Sequence, residues 1–330
     1  MKETETPLYM PVLFLTFNRL ETTKQVFAEI QQARPPRLYL VSDGARVNQI
    51  GEVEKVTAVR EYLLTNINWK CELIVLFRDT NLGCKESVAD AITWFFEHEE
   101  MGIILEDDCV PAQSFFRFCQ FCLNLYKNDT RVGMITGTSY LNDEVDSSDD
   151  YFFSKYTSIW GWATWRRAWK HYDKDILDWP KVKKEKLLNA VFPWDASMSQ
   201  YFTQYYDRIY RGEIDTWDAQ WGYVCRIESM LSVMPYKNLI SNIGYVGSRS
   251  FAGNPFMNSK RHTLINEECP KGPRHVLHNL DVDKKVYFNV FRRHQKYVLA
   301  KWFLKKIKLY ATAEKLYRKF EGVTIYGRKN

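Results

Sequence analysis

The sequence predicts an α/β fold: a mostly parallel β-sheet with helices on both faces. Three observations predict it. Over the first 140 residues short apolar runs alternate with amphipathic stretches, the pattern of repeated βαβ units. The runs are nearly continuous in Val, Ile, Leu and Phe, as in strands buried on both faces. Each run then stops at a polar cluster, and in an open parallel sheet those clusters share one rim.

The elements follow in order. Residues 11–16 form a short apolar strand, and 20–32 have helical spacing through Leu20, Val26, Phe27 and Ile30. Residues 37–42 (RLYLVS) make the next strand, closed by the turn pair Asp43-Gly44. A helix over 52–64 and a third strand over 71–77 (CELIVLF) come next. Gly83 opens a helix to about residue 99, with Val88, Ala91, Ile92, Phe95 and Phe96 on one side. Residues 102–105 are a strand ending on Glu106-Asp107-Asp108, Pro111 starts a helix, and 132–136 is a strand. Beyond Thr138 the pattern changes. Residues 142–150 read as an acidic exposed loop, 159–169 (IWGWATWRRAW) are dense in Trp, and 176–213 read as helical and surface-facing. A second polar-aromatic cluster at 215–223 runs into a helix near Glu228, 231–234 read as a strand, and 245–275 as a mobile loop.

Composition narrows the class. In 330 residues, 45% apolar and 26% charged, there is room for one large domain or two ordinary ones, and a disordered, collagen-like or polytopic membrane chain is excluded. The net charge of +6 is unevenly placed: residues 294–330 carry +8 and residues 1–293 carry −2. A near-neutral body does not suit a general grip on nucleic acid. The basic tail interleaves Trp302, Phe303, Ile307 and Tyr310 with lysines, which predicts either peripheral contact with an anionic membrane face or a helix docked on the body. The apolar run ending at Phe17 is too short to span a bilayer, and seven cysteines without scaffold density point to a reducing cytoplasm. Cys119 and Cys122 fall in an apolar helical pattern and read as core thiols.

The rim is where the chemistry concentrates. Asn18-Arg19, Asp43-Gly44, Arg78-Asp79 and Glu106-Asp107-Asp108 each follow a strand, so a guanidinium and several carboxylates converge. Adjacent carboxylates repel one another unless a cation sits with them. Hard Mg²⁺ or Mn²⁺ accepts such oxygen ligands while keeping phosphate oxygens in its shell. Lys85, at the start of the helix opened by Gly83, reads as a phosphate-binding cation or as a solvated first-turn lysine. Trp160 and Trp162 flank Gly161 and read as covers for the apolar face of an acceptor sugar, or as a Trp-rich core turn.

Seven ordered blocks over roughly residues 10–265 resemble the nucleotide-sugar glycosyltransferases of the GT-A fold. The similarity is to a bacterial branch distantly like the N-acetylglucosaminyltransferase I type. The blocks are VLFLTFNR (12–19), SDG (42–44), NLGC (81–84), IILEDDCVP (103–111), WGWATW (160–165), TWDAQW (216–221) and NLISNIGY (238–245). The resemblance implies that Arg19 contacts the nucleotide and Asp43 a uracil-type ring. It implies that Asp108 is the metal ligand, with Glu106 and Asp107 holding ribose and sugar hydroxyls. Asp218 matches the catalytic base, with Asp215 as its neighbour alternative; Ser241 and Asn242 line the donor site; His262 joins the metal or is a plain loop histidine.

The expectation is therefore an inverting, Mn²⁺- or Mg²⁺-dependent transfer from a UDP-sugar to a saccharide or lipid-linked acceptor, in bacterial surface glycoconjugate synthesis. The predicted organisation is a GT-A domain over 1–273, in nucleotide-binding (1–138) and acceptor (139–273) halves, and a basic helical extension over 274–330. Two rivals share the fold: a non-catalytic sugar-binding module, and a sugar nucleotidyltransferase, which needs a glycine-rich loop where Phe17-Asn18-Arg19 stands.

Overall fold

The computed structural model describes residues 7–141, 145–194, 196–244 and 269–292. In chain order the strands are β1 (Val12–Thr16), β2 (Arg37–Ser42), β3 (Glu72–Phe77), β4 (Met101–Glu106), β5 (Cys109–Pro111), β6 (Val132–Thr136), β7 (Tyr151–Ser154), β8 (Trp162–Trp165), β9 (Leu231–Pro235) and β10 (Ile240–Asn242). The helices before residue 280 are α1 (Leu20–Ala33), α2 (Glu52–Thr65), α3 (Gly83–His98), α4 (Gln113–Leu125), α5 (Arg166–Trp169), α6 (Trp179–Lys184), α7 (Leu188–Val191), α8 (Ala196–Tyr210) and α9 (Asp218–Ile227).

Eight strands form one sheet in the order β3-β2-β1-β4-β8-β6-β9-β7. The pairs β1–β2, β2–β3, β1–β4 and β6–β9 are parallel, while β8 and β7 run against their neighbours. The sheet is thus mostly parallel with flanking helices, as the βαβ pattern predicts. From β1 the chain winds outward to β2 and β3, then returns to place β4 on the other side of β1. The strand order reverses between β1 and β4, and a crevice opens at the carboxyl ends of such a pair.

The core explains the helices. Val26, Phe27 and Ile30 of α1 and Phe115, Phe118, Cys119, Cys122 and Leu123 of α4 are wholly buried, at helical spacing, against the sheet. Cys119 and Cys122 are free thiols inside that cluster.

The structure departs from the sequence reading in several places. The strand read over 71–77 is present as β3, and its place at the sheet edge leaves Leu73 and Val75 more than a third exposed (37% and 40%). The Trp-dense segment supplies β8, a central antiparallel strand, which alternation could not reveal because both faces are covered. The stretch 176–213 is three helices, and it is not simply surface-facing: Trp179, Met198, Phe202, Tyr206 and Ile209 are buried. The cluster at 215–223 is itself helical from Asp218. Two short strands, β5 and β10, pair antiparallel and bring residues 240–242 beside 109–111.

The chain divides into two compact units, Met1–Asp283 and Lys284–Asn330. The sheet belongs to the first. Within 274–330 a helix spans Leu280–Tyr287; the basic stretch 294–330, most of the loop read over 245–275, and His262 lie outside the described residues. Among the described residues no helix is long and apolar enough to cross a membrane.

Candidate active site

The crevice at the reversal point is built by the two strands that flank it. Leu15 of β1 stands in register with Glu106 of β4, so the residues just beyond each strand leave the sheet side by side. Arg19, at the start of α1, reaches across this gap. Its Nη2 pairs with Asp107 Oδ1, its Nε donates to Asp107 Oδ2 at 3.3 Å, and its Nη1 pairs with Asp108 Oδ2 at 2.9 Å. Burial works against the Arg19 charge, but Asp107 and Asp108 outweigh it and raise its pKa. Burial pushes the Asp107 carboxyl up to about 6, against the pull of Arg19.

Glu106 is the anomaly. Its Oε1 is buried without a hydrogen-bond partner. Burial first, then the charges of Asp108, Asp107 and Asp218, hold its carboxyl well above the usual carboxylate range. A buried acid beside three others is a place where added positive charge is strongly favoured.

The far chain closes over the same acids. Ile243 N–H donates to Asp108 O at 2.8 Å, and Gly244 N–H to Asn242 Oδ1 at 2.9 Å. A Cβ on Gly244 would meet Asp108 Oδ2 at 2.1 Å, so only glycine lets the backbone lie against this carboxylate. Ser241, in β10, faces Val110 across the ladder.

A cleft of about 360 Å³ continues from the acids toward β2, lined by Thr16, Phe17, Asp43, Arg46, Asn81 and Glu106 among others. Asp43 is buried there with both oxygens engaged. Gly44 N–H and Leu82 N–H donate to Oδ1 at 2.9 and 3.0 Å; Asn81 Nδ2 and Gly83 N–H donate to Oδ2 at 3.0 and 3.1 Å. Asp43 therefore fastens the loop that starts α3. Arg46 was not singled out by the sequence, and Asn18 was read only as part of the rim cluster Asn18-Arg19. Both bind Glu52, Arg46 Nε at 2.9 Å and Asn18 Nδ2 at 2.8 Å, and the Arg46 hydrogen bonds lower the Glu52 carboxyl to about 2. Asn18 stands two residues past β1, and only its place four residues past β2 marks Arg46.

Asp218 opens α9, where the helix N-terminus favours a carboxylate, and it accepts a hydrogen bond from Thr216 Oγ1. It acts electrostatically on Glu106, and both act on Cys84, whose thiol burial and these carboxylates push to about 11. The fold thus brings Asp218 toward the acidic run. Asp215 is exposed.

Two expected residues sit otherwise. Lys85 Nζ pairs with Asp175 Oδ1 at 3.0 Å, and beside it Lys174 pairs with Glu86 at 2.7 Å, so Lys85 ties α3 to the loop before α6 instead of reaching the acids. Trp162 is fully buried, its ring packed on Trp169, Trp217 and Trp221 with centroids 5.7 to 6.1 Å away. The acceptor-facing reading of Trp162 is corrected: its indole is core. The left-handed Gly161 (φ +58°) lets Ile240 approach, since a Cβ there would meet Ile240 Cδ1 at 2.3 Å. Trp160 is only half-buried, its ring 6.5 Å from that of Tyr140.

The donor set suits a hard divalent cation. It offers only oxygens, one of them the orphaned Glu106 Oε1, and the Asp108 side chain keeps 14% of its surface open. Among the described residues no three His, Cys, Asp or Glu side chains form a ready cage. Mg²⁺-like ions need none, taking one or two carboxylates and completing the shell with phosphate oxygens and water.

No family model and no curated protein matches the chain. Several solved structures are similar to it. One is the mannosyltransferase PcManGT from Pyrobaculum calidifontis in complex with GDP-Man and Mn²⁺ (15% identity, 52% of this chain, 49% of that one, TM-score 0.36). Another is mouse xyloside xylosyltransferase 1 (11% identity, 67% and 83%, TM-score 0.31). A third is the inositol-1-phosphate CTP transferase from T. maritima (10% identity, 49% and 73%, TM-score 0.28). The aligned part spans about half the length of the mannosyltransferase. TM-scores this low carry no inference about what this chain does.

Proposed function

We propose that the chain is a glycosyltransferase that moves a sugar, with inversion, from a nucleotide diphosphate donor, a UDP-sugar, to a saccharide or lipid-linked acceptor. The observation that supports it above the others is the acidic run at the strand-order reversal, with Arg19 across it and the Asp218 charge acting on Glu106 from the other half. Asp108 and Glu106 would hold a divalent cation. When bound, that cation offsets the charge that develops on the departing diphosphate.

The chain's own residues divide the remaining work. Arg19 exchanges Asp107 and Asp108 for phosphate oxygens, a bidentate match that a guanidinium makes well. Asp218 takes the proton from the acceptor hydroxyl as it attacks the anomeric carbon; a positioned base contributes ~10²–10⁴ in rate. With the base on the face opposite the leaving group, the anomeric configuration inverts. Ser241 and Gly244 bound the donor pocket, and Trp160 remains the aromatic candidate for the acceptor. The domain limits and the assembly of bacterial surface glycoconjugates belong to the same proposal, as does the cytoplasmic setting.

The test is a screen of nucleotide-sugars with Mn²⁺ that reads nucleoside diphosphate release. One UDP-sugar should be turned over, and Asp108→Ala should lose that turnover while keeping the folded state. Turnover unchanged in Asp108→Ala would refute the reading.

A further inference from the structure

The opposite edge of the sheet holds a second cavity. It lies between α7, the end of α9 and the start of β9, has a volume of about 280 Å³, and is lined among others by Lys155, Leu187, Ala190, Arg226, Met230 and Leu231. β9 begins here and ends toward the crevice side, because it runs parallel to β6 and hence with β4. The two sites are therefore a strand length apart, roughly 17 Å for five residues.

Besides Ser229, the polar side chains of the cavity wall are two cations. Arg226 is 7% exposed, and among the described residues no carboxylate pairs with it. Its Nη1 donates to Tyr206 Oη at 2.8 Å, its guanidinium lies 4.1 Å from the Phe202 ring centroid, and its Nε is buried without a partner. Ring face and phenol ease the charge but do not neutralise it. The last turn of α9 eases it further, since cations suit helix C-termini. Lys155 Nζ donates to Val191 O at 2.9 Å and lies over the Trp194 ring at 5.1 Å. Burial lowers its pKa, and Asp283, whose carboxylate accepts from Lys155 N–H at 3.2 Å, offsets this in part.

A guanidinium with no carboxylate partner, set with an ammonium in the wall of a largely apolar hollow, lacks one complement, an anion. We propose that this cavity binds the anionic head, phosphate or carboxylate, of a small amphipathic molecule. The head lies against the Arg226 guanidinium and Lys155, and the apolar body against Leu187, Ile227, Met230 and Leu231. The volume equals about nine liquid waters, room for a head and a short alkyl chain. The site is separate from the donor crevice, so its occupant is an effector or anchor and not the transferred sugar.

Isothermal titration of the full chain with hexyl phosphate, hexanoate, inorganic phosphate and hexyl glucoside tests this. The two alkyl anions should bind, inorganic phosphate at least tenfold more weakly, and the neutral glucoside not measurably. Arg226→Met should weaken hexyl phosphate at least tenfold and Lys155→Met less. Should Arg226→Met not fold, Ala190→Trp fills the hollow from its exposed rim and should abolish binding while thermal melting shows a folded protein. Absence of alkyl-anion binding, equal binding of inorganic phosphate, or full binding in Ala190→Trp would each overturn the proposal. None of these outcomes depends on sugar transfer, so failure here leaves the crevice reading untouched.

Discussion

The two edges of the sheet hold their guanidiniums in opposite ways, Arg19 open to solvent and Arg226 buried. At the carboxyl edge Arg19 meets two carboxylates, and the neighbouring polar groups are tied into the same fabric: Asp43 with Asn81, Arg46 with Glu52. At the amino edge Arg226 meets a phenol and a benzene ring and no carboxylate among the described residues. The carboxyl edge pairs its guanidinium with acids that other anions can replace. The amino edge surrounds its charge with aromatic packing, and the second half of the sheet is held by ring on ring: Trp162, Trp169, Trp217 and Trp221 form one stack, Tyr206, Phe202 and Phe192 another.

Four experiments can break or sharpen that contrast. The largest effect belongs to Asp218→Asn, expected to cut kcat by ~10²–10⁴ while leaving nucleotide affinity and melting temperature nearly unchanged; steady-state kinetics and titration with UDP read the two sides. Trp162→Ala should do the reverse. Truncating a fully buried Trp destabilises by about 3–5 kcal/mol, whereas half-buried Trp160→Ala should cost much less stability, as denaturant titration would show. A small loss in Trp162→Ala would mean the stack is not the support it is taken to be.

Arg19→Met strips the partner from Asp107 and Asp108. Leaving a buried carboxylate unpaired costs about 1–3 kcal/mol, measurable as a lower denaturation midpoint at neutral pH.

Asp283→Asn gives the smallest effect. Burial pushes the Asp283 carboxyl up to about 6 from an ordinary 3.8, although Ser154 Oγ donates to it at 2.5 Å. The folded chain then binds more protons than the unfolded one between these values. Stability must fall as pH rises through this window and level off above it. The difference between wild type and Asp283→Asn, followed by urea titration from pH 4 to 7, should carry this slope; no difference would remove Asp283 from the account.

The sequence makes the first half legible because parallel strands buried on both faces are continuous apolar runs, and their ends mark the rim. Arg19 and the acidic run could be placed across one gap from that alone. The second half was opaque for a physical reason. Trp162 in a central strand and a tryptophan beneath a sugar look alike in sequence, since an indole serves either surface. Lys85 was legible as a helix-start cation but not as half of a tie to Asp175, because that partner lies ninety residues away. β5 and β10 have three residues each, too short for any period to show. Gly244 was visible only as a letter within NLISNIGY; its closeness to Asp108 is a tertiary fact.

Arg19 has one more consequence. Because the chain carries its own counter-cation for Asp107 and Asp108, the fold of this edge does not wait for a dissolved ion. Chelators such as EDTA in purification buffers should leave the melting curve where it was, in contrast to zinc-finger domains, which come apart when stripped. Whatever ion joins the crevice arrives as a tenant of a finished building and can be exchanged from one experiment to the next.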